Sequence, residues 1–148
     1  MYSPNKIKKT DLLYPELSYK IVGALLEVNK ELGPNHQEKH YQKAIAEEFR
    51  LKGINFKEQV PIKLVYKDFP IGIYYADFIV EDKIIVELKT DRFFTRKNIE
   101  QTLAYLKSFN LKLGILSNFT KKGLEYKRIV NLETVRSSEK FVSSKEPI

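Results

Sequence analysis

A mixed α/β fold, a central mixed sheet flanked by helices in the order α-α-β-β-β-α-β, is predicted for this 148-residue chain by three patterns. Apolar residues recur at helical spacing in two segments before residue 53 and in a third after residue 94. Residues 54–89 change to runs of β-branched and aromatic residues broken by polar turns. The third helical segment lies between two strand-like runs, which calls for a parallel crossover beside the antiparallel pairs. Because helices and strands are partly segregated, the class is equally described as α+β. One domain with a proper core suits this length and the 43% hydrophobic content.

Residues 1–10 are polar and basic and are expected to form a flexible arm, residues 11–131 the folded domain, and residues 132–148, rich in Ser, Lys and Glu, a disordered tail. Pro15 opens the first helix, Leu17, Ile21, Leu25, Val28 and Leu32 form its apolar stripe, and Gly33 stops it. A second helix is expected from His36 to Lys52, with Tyr41, Ala44, Ile45 and Phe49 inward and Gly53 as terminator. Strands follow from Asn55 to Tyr66, Ile71 to Val80 and Lys83 to Lys89, with a turn at Lys67 and Asp68. Helical spacing returns from Phe94 to Phe109 through Ile99, Leu103 and Leu106, and Leu111 to Leu116 reads as a strand. The mix of residues in Leu124 to Val130 does not decide between strand and helix.

The chain's most informative feature is the placing of Asp77, Glu87 and Lys89 on two consecutive strand runs. Glu87 and Lys89 share a face by period-two alternation. Whether Asp77 joins them depends on register. A two-residue loop of Glu81 and Asp82 would set Asp77 beside Val86 and turn the carboxylates apart. A three-residue connection of Glu81, Asp82 and Lys83, or a bulge there, sets Asp77 opposite Glu87, and this odd-numbered connection is predicted.

Two carboxylates and a backbone carbonyl can hold a hard cation through oxygen. Asp77, Glu87 and the Leu88 carbonyl would be such ligands for Mg2+, or for Mn2+. Lys89 beside them would position the attacking water or offset negative charge in the transition state. Gln101 and Tyr105, four residues apart, put an amide and a phenol on one helix face within reach of Lys89 or a phosphate. The competing reading is a strand-end Asp77, a surface Glu87–Lys89 pair and an ordinary helix face. The apolar run Ile84 to Leu88 argues against it, since charges in such a strand need a reason.

The absence of cysteine excludes disulfides, thiolate metal sites and a cysteine nucleophile. No apolar run is long enough to span a membrane and no apolar leader opens the chain, so a soluble, cytoplasmic protein is expected. A formal charge of +7 favours a polyanionic partner as much as it favours a solvated lysine-rich surface. Arg92, Arg96, Lys97, Lys107, Lys121, Lys122, Lys127 and Arg128, interleaved with Phe93, Phe94 and Tyr126, could track a phosphate backbone or simply be solvated. The segment 91–98 is placed to cover the site. His36 and His40, spaced i, i+4, lack the further ligand that a zinc helix needs and read as surface histidines.

Asp77, then Glu87-Leu88-Lys89, then Gln101 and Tyr105, in this element order, resemble the PD-(D/E)XK nuclease superfamily. The Gln101/Tyr105 pair is similar to the Q-x-x-x-Y motif of its RecB-like branch. More narrowly, Leu32-Gly33-Pro34, Glu38, Tyr41, Gln59-Val60-Pro61, Ala76-Asp77, Val86-Glu87-Leu88-Lys89 and Leu113-Gly114 resemble the GxxExxY family. The resemblance implies a restriction-endonuclease-like core, Asp77 and Glu87 as metal ligands, Lys89 as catalytic lysine, Glu38 as an added acidic group and metal ligand, and Gln101 and Tyr105 in support. Asn35 stands where the motif has glycine. Asparagine tolerates left-handed backbone angles, and as an N-cap it would put Glu38 at N3 in a capping-box-like arrangement. Tyr41 is expected to pack, with its hydroxyl on a polar partner.

The expected function is metal-dependent hydrolysis of nucleic-acid phosphodiester bonds, with DNA ahead of RNA as partner. A homodimer would suit cleavage of two strands. The other reading is a non-catalytic nucleic-acid or protein interaction module that keeps the fold.

Overall fold

The structure, a computed structural model, describes residues 13–135. The expected arm, 1–10, and tail residues 136–148 lie outside the described residues. The first tail residues form a helical turn closed by Val135 N–H to Asn131 O at 3.2 Å. Among the described residues no helix is long and apolar enough to cross a membrane.

Helix α1 (Pro15–Leu32) has Pro in its first turn and buries Ile21, Ala24, Leu25 and Val28. It ends at Gly33, where a φ of 67° lets the N–H return to Asn29 O at 2.9 Å. Helix α2 spans Glu38–Leu51 and so starts two residues later than expected. Asn35 takes a φ of 71°, the left-handed angle that turns the connection, and Gln37 is the N-cap. The expected capping box is therefore not formed. Glu38 stands at N1, where its side chain is free to reach elsewhere. Tyr41, fully buried, donates to Gly33 O at 2.6 Å and stacks on Phe119 with ring centroids 4.3 Å apart.

Strands β1 (Phe56–Tyr66), β2 (Phe69–Val80), β3 (Ile84–Lys89), β4 (Leu113–Thr120) and β5 (Gly123–Val130) form one sheet in chain order. Only β3 and β4 run parallel, joined across helix α3 (Arg96–Phe109), so the sheet is mixed as expected. Helix α3 starts at Arg96 rather than Phe94, because Thr95 and Asn98 close a capping box there. The undecided segment at 124–130 is an edge strand paired along the whole of β4. Strand β4 runs four residues past Leu116, through the buried polar side chains of Ser117 and Asn118.

The β2–β3 connection has three residues. Val80 pairs with Ile84, and Phe78 with Val86, so the register carries Asp77 opposite Glu87. Val80 O accepts from Lys83 N–H at 2.9 Å while Glu81 and Asp82 are left-handed, giving a tight primed turn with Lys83 as a bulged extra residue.

The core has two layers. One, between α1, α2 and the sheet, includes Ile21, Leu25, Ile45, Phe49, Phe78, Val80, Val86 and Leu88. The other, under α3, includes Ala76, Ile79, Ile85, Tyr105, Leu106 and Leu116. Ala76 and Ile79 are three residues apart and could not share a face of a regular strand. The alternation of β2 thus slips by one at Asp77, directly across from Gln59, whose φ is 47°.

Gly114 sits where α3 crosses β4: a Cβ there would meet Thr102 Cγ2 at 2.9 Å. Gly114→Ala should lower unfolding free energy by about 1–3 kcal/mol in a denaturant titration, and adding Thr102→Ser should recover most of the loss.

Candidate active site

The site lies at the C-terminal end of β3, where β2 parts from it. Beyond Phe78–Val86 the ladder gives way to side chains: Asp77 N–H donates to Glu87 Oε1 at 2.8 Å, and Leu88 N–H donates to Asp77 Oδ2 at 2.9 Å. Asp77 O accepts from Gln42 Nε2 at 3.2 Å, and Gln59 Nε2 lies 3.3 Å from Asp77 Oδ1. Backbone groups that a plain strand would spend on pairing here anchor two carboxylates. Glu87 is only 3% exposed.

Burial drives the electrostatics. It raises the Glu87 carboxyl well above its usual range, and the neighbouring Asp77 charge raises it further. Asp77 is also raised by burial, but hydrogen bonds from Leu88 N–H, Glu87 and Gln59, with the Lys89 charge, pull it back. Both carboxyls are thus shifted toward their protonated forms, burial being the first cause for each, and the pair titrates as a unit.

Lys89 Nζ donates to Gln101 Oε1 at 3.4 Å, so its charge is steered by an amide, and among the described residues it forms no ion pair. Tyr105 faces the same centre: burial first, then the charges of Glu87 and Asp77, push its phenol up to about 12. It is a proton donor, not a base, at neutral pH. Glu38 extends in from α2. Burial raises its carboxyl, Lys89 lowers it, Asp77 and Asp91 raise it, and the Thr90 N–H hydrogen-bonds to it. All six side chains singled out in the sequence, Asp77, Glu87, Lys89, Glu38, Gln101 and Tyr105, therefore interact around one place. At Leu88 the group in contact with the acid pair is the N–H.

Four contributors were missed. Gln42 is one turn beyond Glu38 on the same helix face, a spacing that could have flagged it. Asn118 was signalled only by being an amide inside an apolar strand run. It accepts from Asp91 N–H and donates to Asp91 O, both at 2.9 Å, and so holds the chain just after Lys89. Asp91 and the left-handed Gln59 gave no sequence signal for these roles. Among the proposed phosphate-tracking residues Arg128 is otherwise engaged: it donates to Ser18 Oγ and Leu13 O at 2.7 Å each, tying β5 to the start of α1. His36 Nε2 bonds Leu32 O at 2.8 Å, and both histidines are exposed.

A hard divalent cation fits this donor set by chemistry: a buried and a half-buried carboxyl side by side, both raised by desolvation, offer oxygen donors that a cation would hold ionised. Among the described residues no three His, Asp or Glu groups are gathered closely enough to enclose an ion. Two carboxylates with water and phosphate oxygens completing the shell is the mode suited to magnesium.

Fold and site together define a mixed α/β domain with an acidic, lysine-flanked centre at the end of its parallel strand. The sequence model of the PD-(D/E)XK nuclease superfamily matches residues 15–129, and the chain belongs to that superfamily. Of solved structures, the chain is similar to one described as "Crystal structure of SSO0001", at 16% identity and a TM-score of 0.42, over 88% of this chain and 87% of that one. No curated protein matches the chain.

The raised Glu87 carboxyl means that the folded state binds more protons than the unfolded chain above the usual value of 4.5, so this group's contribution to stability falls as pH rises from there. Glu87→Gln keeps an acceptor for Asp77 N–H and adds a donor to the Asp77 carboxylate. It should raise the thermal midpoint at about pH 8 and lose that advantage toward about pH 4, as read by circular dichroism. Asn118→Ala should speed amide hydrogen exchange at Asp91 and cost about 1–2 kcal/mol of stability.

Proposed function

We propose that this protein is a divalent-metal-dependent nuclease that hydrolyses nucleic-acid phosphodiester bonds, with DNA ahead of RNA. The observation that carries the reading is the mutual anchoring of Asp77 and Glu87, a half-buried and a buried carboxyl, both with raised pKa values, beside a lysine that forms no ion pair among the described residues. Structural ion pairs depress carboxyl pKa values; a cluster held at a desolvation cost is what a reacting centre requires. Membership of the superfamily supports the same class of chemistry. The Gln101–Lys89 contact and the turn of Tyr105 toward the acid pair support the RecB-like assignment. Glu38 and Tyr41 at the motif spacing support affiliation with the GxxExxY family, although Asn35 stands where the motif has glycine.

A bound Mg2+ or Mn2+ would supply Lewis-acid polarisation of the phosphate and a more acidic water. Asp77 and Glu87 would hold it, with Glu38 reaching the same centre from α2. The protein's own groups do the rest. Lys89, steered by Gln101, donates to the attacking water or to a non-bridging phosphate oxygen, where negative charge grows as the new P–O bond forms and the old one breaks. Tyr105 stays protonated and donates without competing for the proton of the water.

Glu87→Ala and Lys89→Ala should each lower cleavage by about a hundredfold or more. The assay offers labelled single- and double-stranded DNA and RNA with magnesium, manganese or chelator. Metal-dependent cleavage lost in both variants supports the nuclease and separates DNA from RNA. Equal nucleic-acid binding by all three proteins, with no cleavage by any, would instead favour the non-catalytic module.

A further inference from the structure

One cavity of about 920 Å3 begins where the acidic centre ends. Thr90 and Asp91, immediately after Lys89, line it on one side. Its other walls are the α1–α2 connection and the β4–β5 turn. The buried Phe119 ring, backed by Tyr41, gives it a fixed floor.

Two features of the lining point to a ligand. Phe93 is 62% exposed, although the segment bearing it is held at both ends: Asn118 fixes Asp91 on one side, and the Thr95–Asn98 capping box fixes the other. An aromatic ring presented to solvent from an anchored segment is a stacking platform. Arg92, Lys121 and Lys122 also line the cavity, and among the described residues none of them pairs with a carboxylate. Asp91 and Glu125 share the wall, leaving an excess of one positive charge in the lining with His36 neutral. Other basic groups nearby are already engaged: Arg96 pairs with Glu100 at 3.1 Å, and Lys127 lies over the Phe94 ring.

We propose that this cavity takes an unpaired nucleotide of the strand being cut, its base against Phe93 and its phosphate among Arg92, Lys121 and Lys122. The protein would then act on single-stranded nucleic acid or on unpaired ends in preference to continuous duplex. The volume is that of a small-ligand pocket, and a base still paired and stacked in a duplex cannot enter a walled recess without leaving its stack. That the neighbouring phosphate is the one cleaved rests on the nuclease reading; the binding preference does not.

The test is fluorescence anisotropy of the full chain, with calcium in place of magnesium, on a short labelled DNA strand and on the same strand in a blunt duplex. Wild type should bind the single strand about tenfold more tightly than the duplex. Phe93→Ala should lose roughly tenfold on the single strand and nothing on the duplex, and Phe93→Trp should retain binding, since one base–aromatic stack is worth that much. Lys121→Gln with Lys122→Gln should flatten the salt dependence of single-strand binding. Unchanged thermal midpoints establish that the variants fold. Equal affinity of wild type for the two forms, an equal loss on both in Phe93→Ala, or binding to neither would overturn the proposal. Single-strand preference without cleavage in magnesium would uphold it and remove the nuclease reading, whereas equal cleavage of strand and duplex would remove the cavity's role and leave the nuclease.

Discussion

The hydrogen bond from Asp77 N–H to Glu87 Oε1, and its counterpart from Leu88 N–H to Asp77 Oδ2, is the constraint on which the rest of the site depends. A carboxylate in a sheet interior must have its oxygens satisfied, and here each acid takes a backbone donor from the other acid's strand. Two ladder positions are given up for this. The strands part as a result, and the opening leaves room for Lys89, Tyr105 and Glu38 to converge on the pair. Gln42 and Gln59 take up the remaining polar valence of Asp77 from the two sides.

The slip at Asp77, where β2 parts from β3, also decides which core layer each end of β2 joins. Up to Phe78 the sheet alternates regularly between the α1–α2 layer and the α3 layer. Past Asp77 the alternation is shifted by one residue, so the far end of the β1–β2 hairpin turns Ile62 and Ala76 toward α3. Gln59 in a left-handed conformation opposite Asp77 marks the same point on β1. The strained residue beside the acid pair is tolerated because the flanking ladder, Glu58 to Phe78 and Val60 to Ala76, over-determines it.

Charge in this fold is managed by amides more than by ion pairs. Gln101 meets the Lys89 ammonium and Gln59 the Asp77 carboxylate, while Gln42 and Asn118 fix the backbone of Asp77 and Asp91. An amide fixes position without neutralising its partner, whereas a carboxylate in contact with Lys89 would cancel much of its charge. The described ion pairs are between exposed or half-exposed side chains such as Arg96 and Glu100, where they contribute little and constrain nothing at the centre.

Much of this was legible in the chain because it depends on local physics. Helical and strand periodicity located three helices and the sheet; Pro15 and Gly33 bounded α1; and parity alone required an odd connection between Val80 and Ile84 if Asp77 was to meet Glu87. Alternation put Glu87 and Lys89 on one face and helical spacing paired Gln101 with Tyr105, but Glu38 joined the set only through the family resemblance. What failed were the features whose cause lies far away in sequence. The fifth strand forms because β4 offers a full-length partner, not because Leu124 to Val130 has a pattern of its own. The start of α2 moved because Asn35 serves the turn against Tyr41 and Gly33, and Arg128 is committed to α1 across more than a hundred residues. Asn118 and Gln42 are ordinary polar residues until the sheet brings them to Asp91 and Asp77. Local propensity and period therefore determined the elements and the acid–lysine motif, while only tertiary packing decided which amides orient that motif and which cations remain unpaired around the adjoining cavity, because those pairings form between segments that meet only once the sheet has closed.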